Sequence, residues 1–152
     1  MYLSGIDETA VSATDDFGVG MVGTGSGAPL KLYKWVQYDT GAGSVAAVSG
    51  NVAYYYTLDG YKNNQVTSDL SDSVEIGAGV LQSAPTDGQY CWVQVSGPAT
   101  LTTALTAGAD GDPLTATGAS DGTLDVSSNV LDVVCAIAGD ISDKEVICTF
   151  PL

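Results

Sequence analysis

Short runs of alternating apolar and polar residues predict β-strands throughout the chain from residue 30 onward. The clearest runs are residues 32–38 and 89–96, which alternate and are rich in aromatic and β-branched side chains. The other predicted strands are residues 52–57, 74–81, 99–105, 114–117, 123–126, 130–138 and 144–150. Turn residues separate the runs about every 8–12 residues, a spacing typical of β-sandwiches and barrels.

Two features interrupt this pattern. Gly77 and Gly79 predict a kinked or bulged strand at 74–81, and Gly97-Pro98 is expected to end the strand at 89–96. Residues 58–73 are polar and are predicted to form a long loop.

The first 29 residues have a different pattern. Single apolar residues are separated by Ser, Thr, Asp and Gly without a helical or strand period, and a Gly/Ser tract at 23–27 precedes Pro29. This composition predicts an extended arm that ends in a flexible hinge. Two interpretations stay open: a disordered tail, or an arm that orders on a partner through its isolated apolar residues.

Together these elements predict an all-β fold with a small β-barrel, β-tulip or sandwich body. The arm occupies residues 1–29 and the body residues 30–152. A length of 152 residues fits one such domain.

The two clearest strands share the tripeptide Trp-Val-Gln, at residues 35–37 and 92–94. In each, Trp and Gln are expected on one side of the strand and the flanking apolar residues on the other. A duplicated half-barrel and a chance similarity both account for the repeat.

The charged residues of the chain exclude several classes of function. The formal net charge is −14, and the four basic residues are all lysines, so the chain has no histidine and no arginine. It therefore lacks the commonest general base and zinc ligand, and it has too few cations to neutralise a run of phosphates. We expect no enzyme activity, no cofactor, and neither nucleic acid nor a membrane as a partner.

Several motifs resemble parts of known binding sites. Residues 18–23 match GxGxxG but lack the flanking strand and helix of a dinucleotide site, and residues 110–112 (Asp-Gly-Asp) fail the EF-hand spacing. The paired acids Asp15/Asp16 and Asp69/Asp72 are interpreted as turn formers, with adventitious Ca²⁺ or Mg²⁺ binding as the alternative. The aromatic residues suit either a carbohydrate-stacking face or a protein interface.

Three cysteines are too few for a disulfide scaffold. Cys91, Cys135 and Cys148 lie in apolar runs and are predicted to be reduced core residues. A disulfide between Cys135 and Cys148 is the alternative.

Five segments in a fixed order resemble one protein family over about four-fifths of the chain. They are LYKWVQYD at 32–39, GVLQSA at 79–84, QYCWVQVSGPA at 89–99, AGADGDPL at 107–114 and DGTL at 121–124. The family is that of the small capsid decoration (head-stabilising, cement) proteins of tailed phages. The resemblance implies a β-barrel or β-tulip body, a homotrimer, and a position on the exterior of the virion after synthesis in the host cytoplasm.

The expected function is therefore that of a structural virion protein that binds the major capsid protein on the assembled shell. It would stabilise the shell by bridging neighbouring subunits. The arm matches the family less well, so its role in gripping the capsid is an inference from composition. The candidate contact residues are Tyr2, Leu3, Ile6, Phe17, Met21, Tyr33 and Trp35. The alternatives are a phage tail or fibre component and a carbohydrate-binding β module.

Overall fold

A computed structural model describes residues 2–57 and 59–152. Met1, the first residue of the predicted arm, and Leu58, the first of the predicted loop at 58–73, lie outside the described residues.

The chain is nearly all-β, with 39% of residues in strands and 5% in helices. The strands are β1 (Leu3–Ser4), β2 (Val11–Ser12), β3 (Val22–Thr24), β4 (Leu32–Tyr38), β5 (Val52–Tyr56), β6 (Gln65–Thr67), β7 (Ser73–Leu81), β8 (Tyr90–Thr100), β9 (Pro113–Thr115), β10 (Asp125–Val126), β11 (Val134–Asp140) and β12 (Glu145–Thr149). The helical segments are α1 (Gly60–Asn63) and a 3₁₀ turn (Leu70–Asp72).

Five strands form a closed barrel. Their order is β4, β6, β5, β7 and β8, and the ring closes because β8 also pairs with β4. The β4–β6 pair is parallel and the other four pairs are antiparallel. This confirms the all-β barrel body predicted from the strand pattern.

One long strand, β8, takes part both in the barrel and in a second antiparallel sheet. Its first part pairs with β4 in the barrel, and from Ser96 onward it pairs with β12. An antiparallel sheet then continues through β12, β11, β9 and β10, which we call the C-terminal sheet. The strands at the C-terminal end of the chain therefore extend from the barrel wall.

The prediction that Gly97-Pro98 ends this strand is wrong. Gly97 has a φ of +95°, and a Cβ there would lie 3.0 Å from the carbonyl oxygen of Leu30. Glycine adopts this backbone without strain, so the strand bends and continues through Pro98 to its partner Ile147.

The predicted loop at 58–73 contains one strand of the barrel. β6 is only three residues long, and it is preceded by α1 and followed by the 3₁₀ turn. Val66 and Thr67 are nevertheless fully buried. Three residues are too few to show a period of two, which is why the sequence pattern does not reveal this strand.

The two faces of β4 and β8 pack into different clusters. Val36 and Val93 lie in the main core, which the barrel shares with residues of the C-terminal sheet such as Val146. Trp35 and Trp92 lie in a second, separate cluster. The predicted separation of Trp from its apolar neighbours is therefore confirmed. Trp35 and Trp92 are also direct register partners, so the Trp-Val-Gln repeat marks one cross-strand pair.

The three cysteines are free and buried, as predicted, and the alternative disulfide between Cys135 and Cys148 is not formed. Burial raises the pKa of each thiol to about 12. These thiols are therefore protonated core groups at neutral pH.

The predicted irregularity of β7 is confirmed by two register shifts in its pairing with β5. Gly79 has a φ of +154°, and a Cβ there would lie 2.8 Å from Val93 Cβ and 2.9 Å from the Gln94 carbonyl oxygen. This close approach lets β7 pack on β8, and a side chain would force the two strands apart.

Replacing Gly79 with alanine is therefore expected to lower the free energy of unfolding by about 2–4 kcal/mol, through overpacking added to backbone strain. Gly88→Ala is the matched control, because Gly88 also has a positive φ (+77°) but has no heavy atom within 4 Å of its Cβ position. The Gly88→Ala variant is expected to lower the free energy of unfolding by about 1 kcal/mol, from backbone strain alone. Urea unfolding measures both, and equal losses would contradict the packing described for β7.

Candidate functional site

The N-terminal segment, residues 2–24, lies against the barrel. β1 pairs with β3, β3 pairs with β4, and β2 pairs with β8. The backbone N–H of Trp35 donates to Met21 O at 2.9 Å, and the N–H of Gly20 donates to Trp35 O at 2.8 Å. The segment is extended, with strands of only two or three residues, and these pairings place it against the barrel.

Aromatic packing fixes this segment in place. The Phe17 ring packs edge-on against Trp35, with centroids 4.9 Å apart, and lies 5.2 Å from Trp92. The Trp35 indole N–H donates to Asp15 Oδ1 at 3.0 Å. The indole N–H of Trp92 is buried and has no hydrogen-bond partner among the described residues, so packing alone holds that ring.

Most of the seven candidate contact residues lie close together, but they pack on the protein's own barrel and not at an open surface. Leu3, Ile6 and Met21 pack on the cluster of Tyr33, Trp35 and Trp92, and Phe17 covers the two tryptophans. Tyr33 and Trp35 are buried, which removes them from any external contact surface. Tyr2 and Phe17 keep substantial exposure. The physical reason is that the apolar residues of the segment find an apolar surface on the outer face of β4 and β8.

A different apolar surface is exposed on the C-terminal sheet. Four neighbouring strands each contribute one outward residue: Pro98 on β8 pairs with Ile147 on β12, Ile147 with Ile137 on β11, and Ile137 with Pro113 on β9. All four residues are exposed. We call this set the apolar row, and it forms a continuous stripe across the sheet.

The loop before β11 also exposes apolar side chains. Val130 is 100% exposed and Leu131 85% exposed. The loop is ordered by Asp132, whose carboxylate accepts hydrogen bonds from the backbone N–H of Asn129 at 2.9 Å and of Ser128 at 3.0 Å. These bonds hold the pKa of Asp132 below its ordinary value. Two large apolar side chains are thus held in solvent by a defined turn.

Acidic residues surround the apolar row along the chain. Glu145 lies two positions before Ile147, Asp112 directly precedes Pro113, and Asp140 ends β11. Hydrogen bonds from Ser142 and Asp143 lower the pKa of Asp140, which keeps it charged at neutral pH. Two lysines lie beside the same row, since Lys31 lines a groove with Pro98 and Glu145, and Lys144 directly precedes Glu145. The charges near the row are therefore mixed.

The apolar row was missed in the sequence because both faces of β11 and β12 carry apolar residues. In β12, Val146 and Cys148 face the core while Ile147 faces solvent. The sequence did contain one indication of an exposed apolar surface, because β12 is apolar at consecutive positions. An ordinary half-buried strand is polar on its outer face.

The acid pairs hold turns, as predicted. Asp69 accepts a hydrogen bond from the N–H of Gly43 at 2.9 Å, and Asp72 accepts one from the N–H of Ala42. The side-chain hydrogen bond from Ser71 is the main cause that lowers the pKa of Asp69. No cluster of potential metal ligands occurs in the part of the chain that the structure describes.

Most of the aromatic rings are buried and do not form an external stacking face, although the Tyr61 ring is exposed. Tyr54, Tyr55, Tyr38 and both tryptophans are fully buried. The Tyr54 hydroxyl accepts a hydrogen bond from the N–H of Thr123 and thereby ties β5 to a distant turn. Most of the aromatic side chains are therefore core groups.

Comparison with known proteins found no match among protein-family models, curated proteins or solved structures. Within residues 2–57 and 59–152, no helix has the length and apolar character needed to cross a bilayer. The surfaces described above are therefore the basis on which a function is inferred.

The packing of Phe17 predicts its effect on the tryptophans. Phe17→Ala is expected to lower the free energy of unfolding by about 1–2 kcal/mol, because part of an aromatic side chain and its edge-on contact are lost. Trp35 and Trp92 become more accessible to acrylamide, and their fluorescence shifts to longer wavelength. Tyr2→Ala serves as the control, because Tyr2 is exposed. If both variants have the wild-type emission spectrum, the N-terminal segment does not cover the tryptophans.

Proposed function

We propose that this chain is a structural virion protein that binds the outside of an assembled tailed-phage capsid and stabilises it by bridging neighbouring capsid subunits. The apolar row on the C-terminal sheet is the observation that carries the proposal, because an exposed apolar stripe that crosses four strands suits docking on a large protein surface. The five segments that resemble decoration proteins support the same function.

The net negative charge of the chain also supports this function. A net charge of −14 keeps many copies soluble and repels DNA, so the protein does not bind the genome that the shell encloses. A protein that binds only the assembled shell stabilises it by mass action, without any catalytic group.

The apolar row replaces the N-terminal residues as the proposed contact with the major capsid protein. The candidate residues Leu3, Ile6 and Met21 pack on the barrel, whereas Ile137 and Ile147 face solvent on adjacent strands. Burying these two isoleucines on the shell contributes to binding. Basic residues of the capsid protein pair with the acids beside the row, Glu145, Asp112 and Asp140. The homotrimer belongs to the same proposal.

Carbohydrate stacking has less support as an alternative function, because the rings that would form its platform are buried. A tail or fibre protein remains the second candidate of the structural class. The two structural candidates differ in the assembly that the isolated protein binds.

Two substitutions test the proposed contact surface. Ile137→Asn and Ile147→Asn are expected to weaken binding to expanded capsids of the encoding phage, each by about tenfold or more, because the apolar burial of one side chain is lost. Co-sedimentation of capsids with purified protein over a concentration series measures this affinity, and circular dichroism checks the fold.

Val11→Asn is the matched control. Val11 is 41% exposed, close to the 40% of Ile137, but it lies on β2 in the docked N-terminal segment. It should bind capsids like the wild type. Failure of the wild-type protein to bind expanded capsids would overturn the proposed function. Unchanged binding by both isoleucine variants would overturn the proposed surface.

A further inference from the structure

A cavity of about 320 Å³ lies between the barrel and α1, away from the apolar row. It is lined by Gly20, Lys34, Tyr55, Tyr61, Lys62, Asn64 and Leu152. Two of the four basic residues of this acidic chain meet here. None of the lining side chains is acidic, and the one negative charge among the lining residues is the α-carboxylate of Leu152, where the sequence ends. Its size falls within the range of small-ligand sites.

Lys34 is the unusual group in this cavity. It lies on β4 and is only 2% exposed. Its ammonium donates to two neutral acceptors, the Tyr55 hydroxyl and the Pro151 carbonyl, and it lies 5.0 Å from the centre of the Tyr55 ring. A buried ammonium is costly unless an opposite charge compensates it, and neither of these acceptors carries a full charge.

The other walls give the cavity a polar, aromatic lining. Tyr61 packs edge-on against Tyr55, with centroids 4.9 Å apart, and its own ring is largely exposed. Gly20 makes room for Asn64, because a Cβ at Gly20 would lie 2.9 Å from the Asn64 amide nitrogen. The cavity thus offers two cations, an aromatic surface and an amide that hydrogen-bonds hydroxyl or carbonyl groups.

We propose that this cavity binds a small ring-bearing carboxylate, with the carboxylate between Lys34 and Lys62 and the ring against Tyr61. Charge-assisted hydrogen bonds from the two ammonium groups hold the carboxylate. The ligand supplies the negative charge that Lys34 lacks. Two kinds of molecule carry this chemistry, sugar acids and aromatic acids, and the experiment separates them.

Binding should depend on pH. Burial lowers the pKa of Lys34 to about 8 in the free protein. The titratable groups that line the cavity with it are Tyr55 on β5, Tyr61 and Lys62 on α1, and the α-carboxylate of Leu152. Burial raises the pKa of Tyr55 to about 12, so its hydroxyl stays protonated over the range of the experiment. Affinity for a carboxylate therefore falls as the pH rises through about 8, because Lys34 loses its charge.

Stability of the free protein should change in the opposite direction. The pKa of Lys34 lies below its ordinary value of 10.5, so the folded state binds fewer protons than the unfolded state between about 8 and 10.5. The free energy of unfolding contributed by this group therefore rises with pH across that window.

The test uses isothermal titration calorimetry of the full chain at about pH 6.5, below the pKa of Lys34. The ligands are glucuronate, benzoate, inorganic phosphate and glucose at equal ionic strength. We expect glucuronate or benzoate to bind more tightly than phosphate and glucose, and the stronger of the two identifies the sugar-acid or the aromatic-acid class. The affinity should weaken at about pH 9, where Lys34 is mostly neutral.

Two variants connect the binding to the cavity. Lys62→Gln should weaken binding of the preferred carboxylate by about tenfold, because one charged hydrogen bond is lost, and Lys34→Met should weaken it at least as much. Lys144→Gln is the control, since Lys144 lies outside the cavity and donates to the Thr102 carbonyl oxygen. The proposal is overturned if neither carboxylate binds, if phosphate or glucose binds as tightly, or if Lys62→Gln binds like Lys144→Gln. Capsid binding is a separate measurement, so its outcome does not bear on this cavity.

Discussion

The pairing of β4 with β8 is the contact on which the rest of the structure depends. It closes the five-stranded barrel, and it separates two apolar clusters on opposite faces of the same two strands. The inner face supplies Val36, Cys91 and Val93 to the main core. The outer face presents Trp35 and Trp92 side by side, and the N-terminal segment covers them. Because β8 then continues past the barrel, the same strand also carries the C-terminal sheet and its apolar row.

Strand positions followed from local sequence in the aromatic and β-branched runs, but not in every long run. The separate strand predicted at 99–105 is wrong, since β8 ends at Thr100, and the one predicted at 130–138 begins only at Val134. The predicted strand at 32–38 coincides with β4, and the one at 52–57 differs from β5 by a single residue. β6 was not predicted, because a three-residue strand has no measurable period. The continuation of β8 through Gly97 was not predicted either, because a Gly-Pro pair ordinarily ends a strand, and only the contact with β12 reveals that this one bends and continues.

The candidate site was harder to predict than the fold. Isolated apolar residues at the N-terminus were interpreted as anchors for a partner, and local composition does not distinguish a partner from the molecule's own barrel. Ile137 and Ile147 appear in sequence as ordinary strand residues, and their exposure depends on which face of the C-terminal sheet packs on the core. Lys34 likewise became notable only when the fold placed it beside Tyr55 and α1. The role of the acidic residues was predicted better, since Asp69 and Asp72 do accept hydrogen bonds from turn N–H groups.

The central functional claim is that the C-terminal sheet of this protein seats on the outside of a capsid. Cryo-electron microscopy of the virion, at a resolution that shows strands, tests it most directly. We expect density for the barrel on the outer surface of the head, with Ile137 and Ile147 against the major capsid protein and the N-terminal segment still packed over Trp35. Density in the tail, or a capsid-bound barrel whose apolar row faces solvent, would contradict it.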